Sequence, residues 1–392
     1  MKIIRPFSVT DASLVSSNVN AADPNALGAW SATATYAAGD IVQVDSPSFA
    51  FAANNSLFTA LNHGFSNGEL VQLSSTGALP GGLSVGTPYY LVQCTINTFR
   101  LSLTKNGAPI ITTNTGTGIH TATVSSHYLY ESLAANNLNN VPHKTFATST
   151  TAVPGVSFWW LRLGATNRWK AFDSYISSQT ENSGSISYVI QAAGRIDSVA
   201  LMNIQNANSV TLAAVDTTGA VVYTKTYNLI SSLSISSYSA WFFEPIEHDI
   251  NLVDTDFPPY SNLQVTVTLN GNVGDMVRCG AVVLGLSKQI GDTQFGAKLG
   301  IVDYSVKATD EFGNKTITQR NYSDIGNFAV FIDRLSVDAT KAELTKWRGV
   351  PIIYIGSDNY KSSIIYGFFK DFSITISYPT FSVCTIDVEG LS

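Results

Sequence analysis

The chain is poor in charge and in cysteine. Asp, Glu, Lys and Arg make up 13% of its 392 residues, about half of the quarter that is usual in soluble domains. The formal net charge is -6, so the basic excess that neutralises phosphates is missing and we expect no nucleic-acid partner. The three cysteines, Cys94, Cys279 and Cys384, are odd in number and far apart. This spacing argues against a disulfide framework or a zinc knuckle and predicts buried thiols.

Segments for membrane insertion or secretion are also missing from the pattern. No apolar run reaches the length of about 18 residues that a membrane span needs. The start of the sequence, MKIIRPF, carries charges without an apolar core of signal length. We therefore expect a protein that is made and folded in the cytoplasm and has no membrane span. Its length predicts two to four domains.

Motifs for catalysis, metals and cofactors do not stand out. The five histidines include no pair at metal-ligand spacing, and none lies in a nucleophile motif. Gly116-Thr117-Gly118 lies in a turn-rich β segment and precedes no helix, so it does not indicate a phosphate loop. The densest polar cluster is residues 244–249, which we interpret as a turn, because a carboxylate pair needs a cleft and a third group. We predict no enzymatic activity, no cofactor and no metal.

Ser, Thr, Asn and Gly are abundant, and short alternating apolar runs lie between turn-rich segments. This pattern predicts a mainly β, multidomain protein. Residues 2–10 read as an edge strand that leads into a polar arm, and residues 239–243 read as a strand. One convincing helix is predicted over residues 336–346, with Asp338 as N-cap and Trp347 at its end.

Three distant fragments carry one recurring set of landmarks. Residues 29–42 contain a Trp, a Tyr and a Gly-Asp turn, residues 128–142 a Tyr-led strand and a Pro, and residues 158–163 a closing Trp. Joined in order, they resemble the small chitin- and cellulose-binding modules of carbohydrate-binding families five and twelve. The ending LGATNRWKAFD resembles the version carried by bacteriophage tail proteins. The matching landmarks are Trp30, Tyr36, Gly39, Asp40, Tyr130, Pro142 and Trp160.

Together, the resemblance and the strand pattern predict five parts. They are a docking arm (1–28), the carbohydrate-binding-like module (29–48 with 127–173), an inserted small β-sandwich (49–126), a larger β-sandwich (174–290) and a small α+β assembly domain (291–392). The insert is expected at an exposed hairpin, where domain insertion is tolerated.

The module departs from its families where sugar is bound. In those families an adjacent aromatic pair after the Tyr-led strand stacks on sugar rings, whereas this sequence has Ala134 and Ala135 there. Trp159 and Trp160 are adjacent on a predicted strand and must face opposite sides, so only one can lie in the core. The remaining candidates for glycan contact, each of which could instead seal the boundary with residues 174–290, are Tyr128, Trp159, Trp169 and Tyr175.

The resemblance implies a non-enzymatic structural component of a phage tail or baseplate. Such a protein would be assembled in the host bacterial cytoplasm, would reside in the virion in several copies, and would have other tail proteins as partners. The alternative is a lectin-like receptor-recognition protein that binds a host surface glycan through the small module. A secreted chitinase-like accessory protein is disfavoured, because neither a signal segment nor catalytic carboxylates are indicated.

Overall fold

The structure is a computed structural model that describes residues 1–147, 158–230, 237–243, 248–258, 260–309, 311–376 and 378–391. The predicted mainly β character is confirmed. Residues 244–247 of the polar cluster lie outside the described residues. The chain forms two compact units, which we call the small unit (Asn20–Trp169) and the large unit (Met1–Val19 with Lys170–Ser392). In the described ranges, no helix has the length and apolar character needed to cross a bilayer.

Strands are numbered along the chain, and the first two, β1 (Lys2–Pro6) and β2 (Leu14–Ser17), belong to the large unit. The small unit follows, with β3 (Thr35–Tyr36), β4 (Ile41–Asp45), β5 (Ser48–Asn54), β6 (Leu57–Thr59), β7 (Leu70–Ser75), β8 (Pro88–Val92), β9 (Thr98–Ser102), β10 (His120–Val124), β11 (His127–Ser132), β12 (Asn137–Leu138), β13 (Phe146–Ala147) and β14 (Trp160–Ala165). Its sheets are β13-β14-β11-β4, the pair β12-β3, and a closed barrel β10-β5-β6-β9-β8-β7.

The barrel replaces the β-sandwich that the sequence predicted for the insert. Its strands close because β10 pairs with both β5 and β7. Closure removes the unpaired edges that a small sandwich would leave. The interior is aromatic, with Phe58 and Phe99 fully buried and stacked at 5.4 Å between ring centroids. Alternation of apolar residues is the same in both architectures, so it could not distinguish them.

The barrel emerges from one hairpin of the four-stranded sheet. β4 and β11 are antiparallel neighbours, with Asp45 opposite His127. Just beyond this pair, the Ser46 amide donates a hydrogen bond to the Ser126 carbonyl at 2.9 Å. The two chain crossings into the barrel are therefore adjacent, which is the geometry that tolerates insertion of a domain.

The large unit contains the remaining elements. They are β15 (Thr180–Ser183), β16 (Ser185–Gln191), β17 (Ser198–Gln205), β18 (Ser209–Val215), β19 (Val221–Asn228), α1 (Tyr238–Phe243), β20 (Leu252–Asp254), β21 (Gln264–Asn270), β22 (Met276–Gln289), β23 (Asp292–Thr293), β24 (Lys298–Asp303), β25 (Val306–Thr309), β26 (Lys315–Thr318), β27 (Tyr322–Asp333), α2 (Val337–Lys346), β28 (Ile352–Ile355), β29 (Ile364–Thr375) and β30 (Phe381–Gly390).

Two main sheets organise the large unit. The first has the order β19-β18-β21-β16-β2, and the second follows β20-β17-β22-β1-β28-β29-β30-β27-β23, with β15 on β22 and β24 on β27. One core joins the first sheet to a face of β17 and β22 and includes Tyr188 and Leu201. Another includes Phe328, Tyr354 and Leu344 of α2. Residues 174–290 and 291–392 thus contribute strands to one shared sheet.

β1 is an inner strand and not the edge strand that the sequence predicted. It pairs with β22 on one side and β28 on the other. Its adjacent residues Ile3 and Ile4 are both fully buried, in different cores on opposite faces of the sheet. A run apolar on both faces suits a central strand, but residues 2–6 are too few to show this pattern clearly.

Two local predictions also need correction, and one is confirmed. Residues 239–243 were predicted as a strand and instead lie in α1. Helix α2 has Ser336 at its N-cap, so Asp338 lies in the first turn, where its charge complements the helix dipole. Trp347 is the C-cap residue, as predicted. Of the three free cysteines, two are buried as expected, whereas Cys94 is only half-buried.

Candidate functional site

The four-stranded sheet of the small unit carries an aromatic core made from the landmark residues. Tyr36, Tyr130 and Trp160 are buried, and Trp30 packs against them. The Tyr36 and Trp160 rings meet edge to face with centroids 5.3 Å apart, an arrangement that aromatic rings prefer. The Tyr36 hydroxyl accepts a hydrogen bond from the Ser31 amide at 2.8 Å. The three distant fragments therefore share one core.

The adjacent tryptophans separate as the strand geometry requires. Trp160 is fully buried, and its Nε1 donates to the Asn140 carbonyl at 2.8 Å. Trp159 is half-buried and packs at the periphery of the same core. Pro142 is buried as the first residue of the short 3₁₀ helix Pro142–Lys144, where its missing N–H costs nothing.

The Gly-Asp landmark closes a turn against the Tyr-led strand. Gly39 has φ +90°, a conformation that favours glycine, and its amide donates to the Ser132 carbonyl at 2.8 Å. Asp40 accepts a hydrogen bond from the Ala37 amide at 2.7 Å. Both residues thus have structural roles in shaping the loop before β4.

Asn137 is a structural residue that sequence reasoning missed. It is fully buried, and its side-chain amide donates to Ser132 Oγ at 3.0 Å and to the Trp159 carbonyl at 3.2 Å. Its Oδ1 accepts from Asn140 Nδ2 at 2.8 Å. A single asparagine carries no periodic signal, so only the structure reveals that it links β11 to the tryptophan pair.

The position of the usual sugar-binding platform is apolar but not aromatic. Ala134 is half-buried and Ala135 is exposed. Leu133 and Leu138 beside them are also exposed. Aliphatic side chains offer no flat π face for stacking on a pyranose ring, so this surface differs from the platform of the families that the module resembles.

Tyr128 and Trp159 pack at the periphery of the aromatic core, and two of the four candidate aromatic residues are engaged by charged or aromatic neighbours. The Arg162 guanidinium lies 4.8 Å from the centroid of the Tyr128 ring, a cation–π distance. Trp169 stacks on His127 with centroids 4.0 Å apart and planes 3° from parallel, and His127 Nδ1 lies 2.8 Å from Asp45 Oδ1. Tyr175 is exposed and belongs to the large unit.

Burial shifts the pKa values of two titratable groups of the small unit in opposite directions. It raises the pKa of Glu69 to about 7, although the Ser66 amide, 3.0 Å from Oε2, and the Arg162 charge oppose the shift. Burial, helped by Lys144, lowers the pKa of His143 to about 4. Both groups therefore favour their neutral forms in the folded state.

We expect Glu69→Gln to change the pH dependence of the small unit's stability. Because the folded pKa of Glu69 is raised, its contribution is fully present below the unfolded pKa of about 4.5 and is lost as the pH rises through about 7. The free energy of unfolding of the variant minus that of wild type should therefore be about 2–3 kcal/mol larger at pH 8 than at pH 5. Urea unfolding followed by tryptophan fluorescence measures this, since four of the six tryptophans lie in the small unit.

His143 changes the pH dependence of stability in the opposite sense, but its effect cancels when the variant is compared with wild type. That group loses stability as the pH falls from about 6.5 through about 4, and it is the same in both proteins. Equal pH dependence of the two unfolding midpoints would contradict the buried position of the Glu69 carboxyl.

Comparisons with known proteins provide no assignment for these residues. No protein-family model matches the chain, and no curated protein matches it. Within the described ranges, no group of three or more His, Cys, Asp and Glu side chains is arranged to hold a metal ion.

Proposed function

We propose that the chain is a non-enzymatic structural component of a bacteriophage tail or baseplate, assembled in the bacterial cytoplasm and present in the virion. In this proposal the large unit assembles with other tail proteins, while the small unit presents the carbohydrate-binding-like module and its barrel. The supporting observation is the shared core of Trp30, Tyr36, Tyr130 and Trp160, because the resemblance to the carbohydrate-binding modules depends on those residues acting together, and the ending LGATNRWKAFD resembles the version of that module carried by phage tail proteins.

Assembly is further supported by a segment of the large unit that we call the arm, residues 298–309 and 311–318. All residues of β25 and β26 are exposed, and the two strands pair only with each other. A two-stranded ribbon of this kind is at best marginally stable alone in water. The arm also exposes Ile301, Phe312 and Ile317, three large apolar side chains that assembly with another tail protein would cover.

The proposal predicts that the chain is incorporated into tails through the arm. We expect an antibody against the barrel, residues 48–124, to label the tails of purified phage particles in electron micrographs. Ile301→Asp combined with Ile317→Asp should reduce the amount of the chain per particle about tenfold, because interface anchors carry most of the binding free energy. Quantitative immunoblotting of purified particles measures this reduction.

Tyr360→Ala is the matched control, since Tyr360 is exposed on the same unit outside the arm. It should leave incorporation unchanged. Finding the wild-type chain only in the unassembled fraction would rule out a structural role in the tail. If the wild-type chain is found in tails and the double variant is incorporated normally, the role in the tail stands and only the contact through the arm is wrong.

A lectin-like role for the small module is the second candidate function. Trp159 and Trp169 are half-buried, so each keeps some ring surface toward solvent. In this alternative the full chain binds a host surface glycan, and the binding disappears with Trp159→Ala or Trp169→Ala. Binding to a glycan array that is insensitive to both substitutions would exclude the module as the contact surface.

A further inference from the structure

The large unit contains a pocket that the proposed function does not use. It encloses ≈ 320 Å³, at the lower end of the range of about 300–1,000 Å³ for ligand pockets. Its walls come from β17, from the first residues of β27 and β29, and from the end of β30. Met202, Ile364 and Leu391 supply an apolar surface, and Asn203, Gln205 and Asn251 form an amide-rich wall.

The amide-rich wall is held in place by its own hydrogen bonds. Asn203, in the left-handed region at φ +52°, donates from its backbone amide to Asn251 Oδ1 at 3.0 Å and from Nδ2 to the Ile176 carbonyl at 2.9 Å. Gln179 Nε2 donates to the Asn203 carbonyl at 2.9 Å. Asparagine tolerates this conformation better than most residues, and the three hydrogen bonds fix the Asn203 backbone and the direction of its side chain.

Other polar groups of the pocket are exposed. Tyr322 and Asp324 lie two residues apart on β27 and therefore face the same side. The pocket lining includes Tyr322, Asp324 and Asn321, and all three residues are exposed, so their polar groups are accessible to a ligand. Burial raises the pKa of the Asp324 carboxyl, although the residue as a whole stays exposed. The pocket thus offers accessible donors and acceptors together.

The charges of the lining residues limit the kinds of ligand that the pocket can bind. The lining residues include one carboxylate and no Lys, Arg or His, so phosphates and other anions would meet repulsion without a counter-charge. Carboxylate and amide groups side by side suit hydroxyls, which donate and accept at once. The Tyr322 ring, 52% exposed, adds a flat face of the kind that stacks on the C–H side of a sugar.

We propose that this pocket binds a single neutral saccharide residue, with Asp324 and Asn321 bonding its hydroxyls and Tyr322 stacking on its ring. The site lies wholly in the large unit and is distinct from the module of the small unit. It depends only on the residues of the pocket, so it does not rest on the proposed role in a tail.

The test is saturation-transfer NMR on the full chain with the methyl glycosides of glucose, galactose and N-acetylglucosamine. We expect saturable binding of at least one of them. Tyr322→Ala and Asp324→Asn should each weaken it about tenfold, the scale expected for losing a stacking face or a charge-assisted hydrogen bond. Both side chains are exposed, so the variants should keep the wild-type urea midpoint.

Two controls locate the site. Tyr360→Ala removes an exposed tyrosine of the same unit outside the pocket and should leave the affinity unchanged. Trp159→Ala tests the small module separately and should also have no effect. No saturable binding of any glycoside by the wild-type chain would overturn the proposal, as would binding that survives both pocket substitutions or depends on Trp159.

Discussion

The double variant Ile3→Ala, Ile4→Ala is expected to prevent cooperative folding of the large unit. Both side chains are fully buried, Ile3 in the core beside Phe328 and Ile4 in the core beside Met202. Each truncation costs about 2–5 kcal/mol through lost burial and the cavity left behind. The sum approaches the total stability of about 5–15 kcal/mol that is typical of a domain. Because the two residues lie on opposite faces of one inner strand, neither core can compensate for the other.

Hydrogen exchange of the full chain, read by mass spectrometry, measures this loss strand by strand. Protection of β22 and β28 should collapse in the variant, since both pair directly with β1. Protection of the barrel in the small unit provides the internal reference. Val15→Ala is the matched control, because Val15 lies in β2 of the same unit and is exposed. Retained protection of β22 and β28 in the double variant would show that β1 is dispensable.

The position of β1 illustrates what the sequence could and could not predict. Alternating apolar residues correctly predicted a mainly β chain, because side-chain direction along a strand is a local property. The choice of neighbours is not local. β1 pairs with residues far away in β22, from Gln289 opposite Lys2 to Gly285 opposite Pro6, and no pattern within residues 2–6 specifies such a partner.

The same limit applies to sheet closure and to short aromatic segments. The insert was predicted as a small β-sandwich, whereas its closure into a barrel depends on the pairing of β10 with both β5 and β7. Residues 239–243 are rich in aromatic residues, which favour strands on average, yet they form a helical turn in α1. Tertiary surroundings decide between the two in segments this short.

The candidate sites also include one feature that the sequence could predict and one that it could not. Local turn chemistry correctly indicated the Gly39-Asp40 turn, because a positive φ and a side-chain cap depend on adjacent residues. The pocket beside Asp324 could not be predicted, because its walls come from β17, β27, β29 and β30. Its residues form no motif in the sequence and lie close together only because the long sheet brings these strands together.

Trp160→Ala is expected to destabilise the small unit by about 3–5 kcal/mol, the usual cost of truncating a buried tryptophan. The ring is fully buried against Tyr36, and Nε1 bonds the Asn140 carbonyl. Trp160→Phe keeps most of the apolar contact but leaves that carbonyl without its donor, so we expect a smaller loss of about 1–3 kcal/mol. Urea unfolding of the full chain, monitored by hydrogen exchange in β4 and β11, separates these losses from changes in the large unit.

Trp159→Ala provides the matched comparison for this prediction. It removes the same side chain one residue earlier, but Trp159 is half-buried, and its hydrogen bonds within the described part of the chain use only its backbone atoms. If the landmark residues form the core that the resemblance implies, Trp160→Ala must lower the free energy of unfolding clearly more than Trp159→Ala does. Equal losses would mean that the two rings contribute alike. The distinction between a structural tryptophan and a surface tryptophan, on which the lectin-like alternative depends, would then fail.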